Sequence, residues 1–91
     1  MTTVVITDLE YQRGRAAFDA SGFRCVPAPA PEAQLAGVVK SQGARYVVVG
    51  VEPYTGPLYE EIPAGGVLAR FGVGHDGINK ALASRKGILC T

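Results

Sequence analysis

At 91 residues the chain suits one small domain, and its 47% apolar against 19% charged residues exclude a disordered polyelectrolyte. Nine Lys and Arg against eight Asp and Glu leave a net charge of +1, which offers no electrostatic footprint for nucleic acid. The longest apolar run, Ala44 to Val51 interrupted by Arg45, is too short to cross a membrane. Met1-Thr2-Thr3-Val4-Val5-Ile6-Thr7-Asp8 lacks the basic region and long apolar core of a secretory leader, so a cytoplasmic protein is expected. Cys25 and Cys90 are too few for a disulfide scaffold and lack metal-ligand spacing; reduced thiols and no metal site are expected.

Apolar runs alternate with helical stretches along the whole chain. Thr3 to Thr7 reads as a first strand, rich in β-branched residues. Thr7 and Glu10 have capping-box spacing, which predicts a helix from about Asp8 to Ser21 closed by Gly22. Phe23 to Val26 reads as a short second strand. The Pro27-Ala28-Pro29-Ala30-Pro31 run is a rigid connector, and Pro31 suits the first turn of a helix reaching Gln42. That helix sets Leu35, Val38 and Val39 on one face and stops at Gly43. Ala44 to Val51, with its Val47-Val48-Val49 core, reads as a strand buried on both faces of a parallel sheet. Glu52 to Gly56 is a loop, Pro57 to Ile62 a short helix ended by Pro63, and Gly66 to Phe71 a fourth strand. Asp76 is a good N-cap for a last helix that turns Ile78, Ala81 and Leu82 inward. Arg85 and Lys86 suit the negative end of its dipole, Gly87 ends it, and Ile88 to Cys90 is a fifth strand.

Five strands alternating with four helices predict a parallel α/β sandwich, and right-handed crossovers favour the flavodoxin-like order 2-1-3-4-5. In that order Cys25 and Cys90 lie on opposite edges, about 19 Å apart, beyond disulfide reach. Ligands of such sheets bind beyond the carboxyl ends of the strands. There, Gly72-Val73-Gly74 follows a strand and lets backbone N–H groups converge into a nest for an anion. Gly72-x-Gly74-x-x-Gly77 also matches the glycine fingerprint for dinucleotide phosphates. That fingerprint needs an acidic residue about 20 positions on, at the end of the next strand. Ile88-Leu89-Cys90-Thr91 supplies none, and Asp76 would meet the pyrophosphate with like charge, so no cofactor-binding residue is assigned.

The run Arg70-Phe71-Gly72-Val73-Gly74-His75-Asp76-Gly77-Ile78, a helix, and then Gly87-Ile88-Leu89-Cys90-Thr91 together resemble a family signature. It is that of the substrate-binding domain of the D-isomer-specific 2-hydroxyacid dehydrogenases. The likeness is close from Val67 to Thr91, fair from Ala44 to Pro63, and one of pattern before that. Gly77 and Asn79 depart from it, since Asn and Asp are usual there, which puts the capping of the last helix in question. The resemblance implies that residues 1–91 form one substrate-binding domain, the N-terminal portion of a longer two-domain oxidoreductase whose NAD-binding domain is absent from this chain. It implies that the amides of Val73 and Gly74 hold the carboxylate of a 2-hydroxy or 2-oxo acid, with Gly72 allowing close approach. Tyr54, in the Glu52-Pro53-Tyr54-Thr55 loop, would line the substrate's side chain or else be an exposed turn residue; Glu52 is read as solvated.

NAD or NADP would bind the missing domain, in the same or a separate chain, and that domain would also carry the catalytic histidine and arginine. No catalytic residue is therefore assigned here. His75 is read as a loop residue, and Arg70 as a tether at a strand end. The 91 residues alone should be inactive, expose an apolar patch where the cofactor domain would cover them, and form homo-oligomers. The alternative is a stand-alone flavodoxin-like binding or interaction module without redox activity. A receiver would need a phosphorylatable aspartate where Gly50-Val51 stand. A flavin site would need a Ser/Thr/Gly-rich loop where Thr7-Asp8-Leu9-Glu10 stand.

Overall fold

The computed structural model describes residues 2–50, 52–70 and 78–90. Strand β1 (Thr3–Thr7) is followed by α1 (Asp8–Arg13), α2 (Arg15–Ala20), β2 (Arg24–Ala28), α3 (Glu32–Gln42) and β3 (Tyr46–Val49). After these come α4 (Pro57–Glu61), β4 (Val67–Arg70), α5 (Lys80–Lys86) and β5 (Leu89–Cys90). The strands form one five-stranded sheet in the order β2-β1-β3-β4-β5, and every neighbouring pair is parallel. This is the flavodoxin-like α/β architecture, with the strand order expected from the alternation of elements.

Register divides the sheet into two faces, because partners across parallel strands project the same way. Val26, Val5, Val47, Leu68 and Cys90 form one row across all five strands. That row packs with Leu35 and Val39 of α3, Leu58 and Tyr59 of α4, and Ala83 of α5 into the main core. The adjacent row, Cys25, Val4, Tyr46, Val67 and Leu89, looks the other way. There α1 packs on β1 and β2, and Ile6 is fully buried. Over β3 to β5 that face is open: Tyr46 and Leu89 are 37% and 61% exposed, and Val48, Val67 and Ala69 are half-buried. The expectation that the third strand is buried on both faces therefore holds on one face only. A single crossover, from β1 to β2, turns onto this side, whereas the next three turn onto the other.

Local departures from expectation have local causes. The first helix is not continuous to Ser21 but breaks at Gly14, where the backbone turns to φ −109°. Glycine is the poorest non-proline helix former, and here the Phe18 ring closes over it. A Cβ on Gly14 would lie 2.8 Å from Phe18 Cε2. Thr7 and Glu10 do meet, but side chain to side chain; Thr7 makes no hydrogen bond to the helix backbone, so the capping box is not formed. β2 runs two residues further than expected, through Pro27 to Ala28. A proline is tolerated there because an edge strand pairs on one side only. α3 ends as predicted, with Gly43 left-handed at φ 62° and the N–H of Ala44 donated to Val39 O.

α5 starts at Lys80, later than predicted, and its N-cap is Asn79, whose side chain accepts the Leu82 N–H. Asp76, the predicted cap, lies outside the described residues. Ile78 is buried, but ahead of the helix, in a parallel bridge to Tyr54. Ala81 faces solvent, and Ala83 takes the inward position assigned to it. Arg85 and Lys86 occupy the last turn, and Gly87 closes it at φ 75°. Cys25 and Cys90 are free and sit on opposite edge strands, as expected.

Candidate functional site

The order β2-β1-β3-β4-β5 reverses between β1 and β3, so the crevice at their carboxyl ends is where a ligand of such a sheet would lie. Thr7 ends β1 there and is fully buried. Its hydroxyl donates to the carboxylate of Glu10, which is itself only 6% exposed although it belongs to the first turn of a surface helix. Glu10 reaches across to Gly50, just past the end of β3. A Cβ at position 50 would collide with its carboxylate, so glycine is what lets this acid lie over the strand end.

Tyr54 follows β3 at the same end of the sheet, and it is fully buried. The reading of it as an exposed turn tyrosine is thereby corrected: the segment after β3 folds back, bridges Ile78, and points the ring into the core, where the hydroxyl donates to Ala30 O at 3.1 Å. Burial, and then the negative charges of Glu52, Glu10 and Glu32, push its phenol above the ordinary range; Arg70 opposes them. Glu52 is exposed, as expected.

Arg70 closes β4, in register with Val49. Its Nε and Nη1 are buried without a hydrogen-bond partner among the described residues. Such nitrogens are rare in folded proteins, because each forfeits its bonds to water. Gly72, Val73 and Gly74, the carboxylate-binding residues expected from the sequence, lie outside the described residues, as does His75. The described chain pins both ends of that stretch, at Arg70 on β4 and at Ile78 against Tyr54.

Two clamps hold this end of the sheet. The Glu32 carboxylate, in the first turn of α3, accepts the backbone N–H of Thr55 at 2.9 Å, of Gly56 at 2.9 Å and of Leu58 at 3.0 Å. The Thr55 hydroxyl adds a longer contact. Burial pushes this carboxyl up, but the donated hydrogen bonds outweigh it and hold Glu32 below its ordinary value. The Tyr59 hydroxyl accepts the N–H of Asn79 and donates to Tyr54 O, while the Asn79 amide donates to Thr55 O. Burial raises the Tyr59 phenol. Sequence reasoning missed Glu32 and Tyr59 because their partners lie 20 to 26 residues away or are backbone atoms of a loop. Glu10 was legible in its spacing from Thr7, but not in its burial.

Among the described residues no group of three or more His, Cys, Asp or Glu could hold a metal ion. No described helix is long and apolar enough to cross a membrane. Comparison with protein-family models, with curated proteins and with solved structures finds no match to this chain.

Proposed function

We propose that this chain is the substrate-holding part of an NAD(P)-dependent D-2-hydroxyacid dehydrogenase, and that it binds the carboxylate of a small 2-hydroxy or 2-oxo acid at the carboxyl end of β4. The observation that carries the reading is Arg70. Its guanidinium has two buried nitrogens without partners among the described residues, two residues before the Gly72-Val73-Gly74 run, on the strand next to β3, whose end borders the crevice where the strand order reverses. A carboxylate is a complementary partner for a guanidinium and for converging backbone N–H groups. The flavodoxin-like fold agrees with what the signature implies, and the clamps through Glu32 and Tyr59 would keep the mouth of the site rigid.

In this reading Val73 and Gly74 donate their amides to the substrate carboxylate, Gly72 permits close approach, and Tyr54 backs the site from beneath. Fixing the carboxylate fixes C2, which is a contribution of positioning. The nicotinamide, held by a second domain, would take or give the hydride. The acid–base group and the arginine that polarises the carbonyl would come from that domain too.

The test is a titration of the isotopically labelled chain with pyruvate, followed by amide NMR, with acetate as the control that lacks a 2-oxo group. Shifts centred on Val73 and Gly74 that saturate with pyruvate are expected. Their absence at millimolar pyruvate overturns the proposal, and saturable shifts centred elsewhere on the chain would favour a stand-alone binding module. The purified chain should not oxidise NADH with pyruvate, and a rate from it would sink the assignment of catalysis to another domain.

A further inference from the structure

We draw no further inference here: the strongest candidate, the open sheet face over β3, β4 and β5 presenting Tyr46, Val67 and Leu89 beside a groove lined by Thr2, Val4 and Phe23, carries nothing because nothing in the structure shows what covers it.

Discussion

The hydroxyl of Tyr59 lies 2.7 Å from the backbone N–H of Asn79 and accepts it, while donating to Tyr54 O at the same distance. One side chain on α4 thus joins the loop after β3 to the start of α5. Tyr59→Phe keeps the ring and removes both bonds. Leaving a backbone donor and acceptor unpaired in a buried setting costs about 1–3 kcal/mol. Urea denaturation should show a loss of that size with an unchanged slope, and a variant as stable as the parent would mean that the bonds contribute nothing net.

Glu32 makes stability depend on acid. Its carboxyl is depressed in the folded state relative to an ordinary value near 4.5. Its contribution is therefore fully present above that value and is lost as pH falls through the lower, folded one. Glu32→Gln should flatten the acid limb of a stability–pH profile. At neutral pH it should also cost about 1–2 kcal/mol, since one amide oxygen must replace a carboxylate that accepts three backbone N–H groups. Parallel profiles for the two proteins between pH 5 and about pH 3 would rule this out.

Arg70 gives the most discriminating substitution. If its unpartnered nitrogens serve a ligand, Arg70→Met should weaken pyruvate binding by about tenfold or more, the loss of a charge-assisted pair. The free protein should be no less stable, or more stable by about 1 kcal/mol, because a buried unsatisfied group has gone. Thermal melts with and without pyruvate read both effects. A variant that is much less stable yet binds normally would make Arg70 a structural tether only.

Gly50 and Glu10 should be coupled. Gly50→Ala places a methyl group against the Glu10 carboxylate and should destabilise by about 1–3 kcal/mol, as overpacking does. In a Glu10→Ala background the same change should cost little. A double-mutant cycle measures the difference, and strictly additive effects would show that the two positions do not press on each other.

The fold was legible because its signals are local and repeated. Val4-Val5-Ile6 and Val47-Val48-Val49 read as strands, Gly43 and Gly87 as helix ends, and the alternation of elements leaves few parallel topologies. The break at Gly14 was not legible, since it turns on a ring four residues away, nor was the cap at Asn79, since Asp76 competed for it by residue type. The site was legible only as a loop cluster. That Tyr54 is a core residue, and that Glu32 ties down the loop after it, follow from contacts spanning 23 to 26 residues, which no periodicity encodes. An exposed apolar patch was expected, but not its place over β3 to β5, because a run of valines looks the same whether one side or both are covered.

The all-parallel pairing also shapes how the molecule comes together. No two strands can meet through a tight turn, and β1, the central partner of both β2 and β3, cannot complete its ladder until residues near Val48 are available. Non-local closure of this kind slows folding relative to helical bundles of similar size. During synthesis β1 and β2 can associate early, but their second neighbour arrives only after α3. The nascent N-terminal half should therefore remain an open, sticky edge until β3 emerges and zips against Val4, Val5 and Ile6.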